Sequence, residues 1–433
     1  MSAQIKNEDG IGGIIGQSLP RIEGVEKANG RAIYTDDISR PGMLHGALLG
    51  SHYAHARILS TDTSKAKALP GVKAVLVGTD IPFNYIGMFI KDQLPLARDK
   101  VRYIGDPVAA VAAVDQKTAR EALRLIEIEY EELEPVLDLE GALKADAPVI
   151  HENRDDYPAM FELPKEPNAT CYTVFGEGDP DSAWDQCDVI VENEYLVPAQ
   201  NHMYMEPVSS VAEFDGNGKV TLWTSTQGVA RAQMYVSMSL GIPMSKVRVI
   251  APRIGGGFGG KCEFTNQPIT ALLAQATGKP VKLTYSREDD MTMMKSRHAG
   301  IIRMKTGALK DGTLIARECE VILDGGAYAD GSPEVAPVAA FFSQGPYRIP
   351  NMKVTAWAVY TNRSRASAFR GFGNPQATFA SESQLDELAD KLALDPLDLR
   401  LKNGFVQGDK FFCGKTIEQA SIIACLERVR DAS

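Results

Sequence analysis

Five glycines and a lysine crowd one short stretch, "RIGGGFGGKCEF", at residues 253–264. Two chemistries share that spacing. Gly255-x4-Gly260-Lys261 is most of a phosphate-binding loop, in which backbone N–H groups cradle phosphates and the lysine reaches them. The residue after that lysine should offer a hydroxyl to Mg2+, and here it is Cys262, a soft thiol poorly matched to a hard cation. Gly255-x-Gly257-x-x-Gly260 is also a dinucleotide fingerprint. It falls past the middle of the chain, however, and where an acidic residue should hold a ribose, about twenty residues on, the sequence reads "TGKPVKL". A tight loop without chemistry explains isolated glycines well. Five in six positions cost stability through the entropy of the unfolded chain, which points to a bulky ligand lying against bare backbone.

Three further stretches complete a set: "HMYMEP" (202–207), "WTSTQG" (223–228) and "AFRGFGNPQ" (368–376). In this combination and order the four motifs resemble the molybdenum-binding large subunit of the xanthine dehydrogenase/aldehyde oxidase family. "KANGRAIYTDDI" and "HYAHARI" are similar to that family's N-terminal region. The resemblance covers nearly the whole chain, and in extent it is similar to the large molybdopterin subunit of the split nicotinate dehydrogenases. It implies an α+β fold, with an α/β hammerhead domain over 1–150, a linker at 151–170 and a first molybdopterin-binding domain over 171–433. It further implies a molybdenum–molybdopterin cofactor, with the cytosine dinucleotide form as one alternative. The activity implied is hydroxylation of an electron-poor carbon with water, electrons leaving through 2Fe–2S clusters to FAD on partner subunits.

The same resemblance assigns residues. Gln227 would donate a hydrogen bond to the metal's oxo group, which a neutral amide can do without competing as a ligand. Gly257, Phe258 and Gly259 would lie against the cofactor, and Arg370 would reach the metal centre through its backbone N–H. Phe372 would stack on an aromatic substrate. Glu206 with Pro207 would be structural. Cys262 and Val338 stand where purine-oxidising relatives carry a glutamate and an arginine, with Glu263 one place beyond Cys262. Both changes remove charge-assisted contacts and argue against efficient xanthine oxidation. Ser367 replaces the cysteine of the carbon monoxide dehydrogenases. A nicotinate-like heteroaromatic substrate is therefore preferred, a purine-like one being the alternative. The general base is expected from a second molybdopterin-binding subunit, so no catalytic residue is assigned here. The opening Met and the helical end favour a natural split, and a non-catalytic assembly paralogue or a fragment is the competing reading.

The elements that must position these residues follow from periodicity. "GDPVAAVAAV" (105–114) reads as a buried strand, "DQKTAREALRLI" (115–126) as a helix and "EIEYEELEPV" (127–136) as a half-exposed strand. Strands are expected at 189–197, 220–226, 246–252, 281–287, 301–309 and 318–326. Helices are expected at 264–277, stopped by Gly278 and Pro280, and at 376–394. Thr416 and Gln419 form a possible capping box for a last helix. His52 and His55 have a spacing that could hold a metal, though a surface role suits them better.

Bulk properties narrow the function. At 433 residues the chain is long enough for two or three domains. A formal net charge of −10, with no basic cluster, speaks against nucleic-acid binding. No apolar run is long enough for a membrane span. The start, "MSAQIKNEDGIGG", lacks a signal-peptide pattern, and six irregularly spaced cysteines without a C-x-x-C pair fit a reducing cytoplasm.

Overall fold

A computed structural model describes residues 17–432. The opening glycine-rich lead, and with it the expected lack of a signal-peptide pattern, lies outside the described residues. Three sheets organise the rest. The largest has seven strands, in the order Val247–Ile250, Val220–Thr224, Ser209–Phe214, Val281–Thr284, Leu44–Gly50, Pro107–Ala113 and Val72–Val77. Strands from both ends of the sequence share it, because Leu44–Gly50 pairs in parallel with Val281–Thr284. One sheet thus runs across the boundary expected near residues 150–170.

The apolar run 107–113 is buried at every position, as a strand packed on both faces requires. Behind this sheet lie helices Val229–Leu240 and Gln267–Thr277, each closed by a glycine in the left-handed region, Gly241 (φ 65°) and Gly278 (φ 60°). A second sheet of five strands is ordered Ala169–Glu177, Asn351–Tyr360, Leu314–Gly326, Gly300–Ala308, Val189–Val197. Its one parallel pair, Leu314–Gly326 with Asn351–Tyr360, needs a crossover, and helix Ser332–Phe342 supplies it. That helix and Asn374–Leu392 cover the sheet and enclose a second core. A small third sheet joins Lys100–Val101, Ala56–Asp62 and Glu127–Glu132.

Several sequence expectations are corrected. The strand at 281–287 stops at Thr284, because Ser286 caps a new helix, Arg287–Met293, in a reciprocal box with Asp289. The helix expected from 264 begins at Gln267, since Asn266 turns sideways to accept from Ser210 Oγ (2.7 Å) and donate to Leu283 O (2.8 Å). Thr416 and Gln419 build no capping box: Thr416 bridges to Lys410, and the last helix is Ile422–Ala432. The stretch 151–170 is packed rather than slack. His151 and Arg154 are buried in it, and Arg154 donates to Pro164 O (2.9 Å) and Ala169 O (3.4 Å). Helices Val229–Leu240 and Ser332–Phe342 were not anticipated.

Candidate functional site

Two adjacent parallel strands, Val220–Thr224 and Val247–Ile250, end side by side with Trp223 opposite Ile250. Gln227 follows the first and the glycine loop follows the second. Loops at the C-terminal ends of neighbouring parallel strands are where α/β sheets place their ligands. The two loops are bonded directly: Gln227 N donates to Lys261 O (2.9 Å), and Gln227 Oε1 accepts from Gly259 N (3.0 Å) and Lys261 N (3.3 Å). With the carbonyl committed, the Nε2 hydrogens are the amide's remaining capacity, and Gln227 is exposed. A Cβ at Gly257 would lie 2.4 Å from Gln227 Oε1, so only bare backbone fits beneath that amide.

The arginine loop, 368–373, arrives from the second sheet and repeats a local pattern. Phe258 (φ 52°) is followed by Gly259 (φ 110°), and Phe372 (φ 51°) by Gly373 (φ 95°). A phenylalanine in the left-handed region is uncommon and persists only where its surroundings hold it there. Here the loops hold each other, since Arg370 N donates to Phe258 O (2.8 Å) and the Arg370 guanidinium lies 5.1 Å from the Phe258 ring centroid. The Arg370 N–H, expected to reach the metal centre, is therefore spent on a loop-to-loop bond. A Cβ at Gly259 would meet Ala368 O at 2.5 Å. Below, His202 stacks on Phe369 (4.3 Å, 17°) and its Nε2 pairs with Ala368 O (2.8 Å), while Arg297 covers Phe369 and bonds Arg370 O (2.7 Å). Burial pushes the His202 imidazole down to about 4, so it is neutral near pH 7.

Lys261 does not reach outward. Its fully enclosed ammonium donates to Glu206 Oε2 (2.9 Å) and Glu206 O (2.8 Å) and sits 4.5 Å from the Tyr204 ring centroid. Glu206 Oε2 also accepts from Gly255 N (2.8 Å). The lysine of the apparent phosphate motif is thus an internal strut, and "HMYMEP" supplies its partner. Glu263 is likewise turned inward, buried against Arg231 and the Tyr235 hydroxyl.

Cys262 is half-buried, with burial pushing its thiol up, and its electrostatic neighbours are Lys295, Arg231 and Asp330. Lys295, drawn by burial down to about 8, pairs with Asp330 (3.2 Å), which accepts from Ser367 Oγ (2.7 Å) at the root of the arginine loop. Val338 lies on helix Ser332–Phe342, which abuts Gly373: a Cβ there would strike Val335 O at 2.6 Å and Ala339 N at 2.9 Å. Phe372 packs against the core beneath that helix. Gln227, Gly257, Phe258, Gly259 and Arg370 therefore form one connected face, with Phe372 and Val338 on its second-sheet side and Cys262 on its Lys295 side. Sequence reasoning assigned no role to His202, although it opens the "HMYMEP" motif, and missed Arg297 and the Lys295–Asp330 pair. The "AFR" aromatic, which needs a stacking partner, was the one signal for the first two. Elsewhere His55 is buried and paired with Glu134 O (2.8 Å), and no group of three potential metal ligands occurs among the described residues. All six cysteines are free, and no helix among the described residues is long and apolar enough to cross a membrane.

Comparison with known proteins agrees with this arrangement. The chain matches the molybdopterin cofactor-binding domain over residues 163–404 and the aldehyde oxidase and xanthine dehydrogenase a/b hammerhead domain over 29–134. It is 40% identical to the nicotinate dehydrogenase large molybdopterin subunit of Eubacterium barkeri, over 96% of either chain. It is 39% identical to a probable xanthine dehydrogenase subunit of Bacillus subtilis, over 89% of this chain and 50% of that protein. Among solved structures, the aldehyde oxidoreductase of Desulfovibrio gigas superposes with a TM-score of 0.89 at 31% identity, over 95% of this chain and 46% of that one. The chain thus spans nearly all of the first relative and about half of the other two. One family model matched over more than half of the sequence, with the same fold and a near full-length relative, shows that the chain belongs to the xanthine dehydrogenase/aldehyde oxidase family and carries its molybdopterin-binding domain.

Proposed function

We propose that the chain is the larger molybdopterin-binding part of a molybdenum hydroxylase that oxidises an N-heteroaromatic, nicotinate-like substrate. The observation that carries this reading is the joined face of the two Phe-Gly loops and Gln227. Bare backbone at Gly257 and Gly259 lets Gln227 and the Ala368 carbonyl close directly onto the loop, and the Gln227 amide, its oxygen committed, offers only N–H donors at that face. That donor set suits an anionic group that brings its metal's other ligands with it. When bound, a molybdenum–molybdopterin group would supply the oxygen-transfer and two-electron chemistry at this face.

The chain's own residues would then orient and exclude. Gln227 would hold one face of the group by its Nε2 hydrogens. Phe258 and Arg370 would wall it, and the bond from Arg370 N to Phe258 O would keep the two loops at a fixed spacing. Phe372, on the neighbouring loop, would offer a ring for a planar substrate to stack on. Cys262 and Val338 present no charge where purine-oxidising relatives are expected to, which supports a substrate other than xanthine. The face supplies no carboxylate placed as a general base, because Glu206 and Glu263 are both committed inward. A second molybdopterin-binding polypeptide would complete the site, with 2Fe–2S and FAD subunits taking the electrons in the cytoplasm.

The test is to purify the chain with its native companions, measure molybdenum, iron and flavin, and assay nicotinate and xanthine in parallel. Molybdenum with faster nicotinate turnover supports the proposal. A complex holding molybdenum but preferring xanthine overturns the substrate assignment, and a native preparation that holds neither molybdenum nor a second molybdopterin-binding polypeptide overturns the enzyme reading.

A further inference from the structure

Among the described residues, five other than glycine have left-handed backbone: Met203 (φ 46°), Phe258 (52°), Asp330 (40°), Phe372 (51°) and Ala393 (54°). Ala393 caps helix Asn374–Leu392, an ordinary place for that conformation. Met203, Phe258 and Phe372 belong to the motifs that build the candidate face. Asp330 belongs to none of them, yet it is strained in the same way and touches the same face from behind. Such strain persists where the surroundings hold a residue to a task. Asp330 stands in the turn between strand Leu314–Gly326 and helix Ser332–Phe342. Asp92 fixes the residue before it by accepting from Ala329 N (2.7 Å). The residue after it, Gly331, has no room for a Cβ, which would lie 2.6 Å from Ser367 Oγ.

The two oxygens of its carboxylate are divided. Oδ2 faces Lys295 Nζ (3.2 Å) and Arg365 Nε (3.8 Å), and Oδ1 accepts from Ser367 Oγ (2.7 Å). Burial alone would raise this carboxyl, but the charges of Lys295 and Arg365 hold it below its ordinary value, so it is ionised. Neutralising two cations accounts for Oδ2 and leaves Oδ1 to be explained. A hydroxyl bonded to a carboxylate makes a bond roughly twice as strong as one between neutral groups. Ser367 is the residue immediately before the arginine loop, and its backbone is fixed as well: Ser367 N donates to Ser296 O (3.0 Å) and Ala366 N to Gly325 O (2.9 Å). The ion pair therefore joins the two segments that flank Ser367, since Lys295 adjoins Ser296 and Asp330 adjoins Gly331. One residue further on, Ala368 O meets His202 Nε2 (2.8 Å) and lies where Gly259 could bear no Cβ. Phe369, Arg370 and Phe372 leave from that point.

We propose that Asp330 is the positioning residue of the arginine loop: through Ser367 it fixes where Phe369, Arg370 and Phe372 stand against the glycine loop, and with that the grip of the site on a planar substrate. The consequence for substrate rests on the function proposed above, whereas the placement of the loop does not. Ser367→Ala removes the hydroxyl and leaves the Lys295–Asp330 pair in place. In the full chain with 13C-labelled histidines, the His202 ring resonance reports its stack on Phe369 (4.3 Å). Ser367→Ala should shift that resonance, while those of His52 and His55, in the hammerhead domain, stay where they are. Lys295→Met combined with Asp330→Asn removes both charges but keeps a hydrogen-bond partner for Ser367 Oγ, and should leave the His202 resonance near its original position. Ser367→Ala is the milder change and carries the test even where the double variant fails to fold. In the complex with its native companions, Ser367→Ala should raise KM for nicotinate about tenfold, with a smaller change in kcat and unchanged molybdenum content. An unmoved His202 resonance in Ser367→Ala overturns the proposal, and so does a double variant that shifts it as far as Ser367→Ala does. A shifted resonance with unchanged KM overturns the substrate part. A shifted resonance in a complex that does not oxidise nicotinate supports the positioning and counts against the proposed function instead.

Discussion

Replacing Lys261 by methionine separates the two readings of the glycine stretch. A phosphate-holding lysine would be dispensable for folding and needed for ligand, whereas the structure makes Lys261 an internal strut. Its side chain has 0% exposure and Glu206 has 10%, and their N–O distance is 2.9 Å. Methionine fills nearly the same space, so the cavity contribution is small. What remains is Glu206, a buried carboxylate whose Oε1 already lacks a partner and whose Oε2 keeps only the Gly255 N–H. Removing one member of a buried ion pair costs about 3–5 kcal/mol. Glu206→Gln in the same background relieves the stranded charge, so the double variant should lose much less than the sum of the single ones. Urea unfolding followed by tryptophan fluorescence, run as a double-mutant cycle, reads this coupling directly. A loss below about 1 kcal/mol for Lys261→Met, or simple additivity in the cycle, would refute the strut and return the lysine to the ligand side.

Other outcomes follow from the same geometry. Gly259→Ala places a Cβ 2.5 Å from Ala368 O at φ 110°, and strain plus crowding should cost about 2–4 kcal/mol in thermal or urea unfolding; an unchanged midpoint would refute the close approach of the two loops. His202, held near 4 when folded against about 6.5 when unfolded, is protonated first in the unfolded chain. It therefore contributes stability above pH 6.5 that is lost as pH falls toward 4, amounting to roughly 3 kcal/mol. His202→Gln should flatten that part of the stability–pH curve, and a curve of unchanged slope refutes the assignment. Gln227→Glu keeps an acceptor for Gly259 and Lys261 but loses the Nε2 donors. Molybdenum retained by the purified complex should fall while unfolding shifts by less than about 1 kcal/mol, and wild-type metal content would remove Gln227 from the cofactor face.

Much of this was legible along the chain because local rules decide it. The run 107–113 is apolar at every position and became a strand buried on both faces, and Gly278 followed by Pro280 stopped its helix where such a pair should. The crowding of glycines at 255–260 announced close approach before any neighbour was known, and the family's motifs appeared in order. Sequence alone could not say what approached. Gly257 is bare because the Gln227 amide lies on it, and Gly259 because the Ala368 carbonyl does, 109 positions away in the chain. Nor did the residue type of Lys261, Glu263 or Arg370 reveal direction. A lysine beside five glycines resembles a ligand hook until Glu206 and Tyr204 are seen to enclose it. The Arg370 N–H is free to serve a cofactor until Phe258 O takes it. Spacing fixes which side chains are near one another along a strand or helix. Only the meeting of two sheets, set by long-range packing and by the desolvation cost of leaving buried polar groups unpaired, decides which of them turn inward and which stay exposed for a ligand.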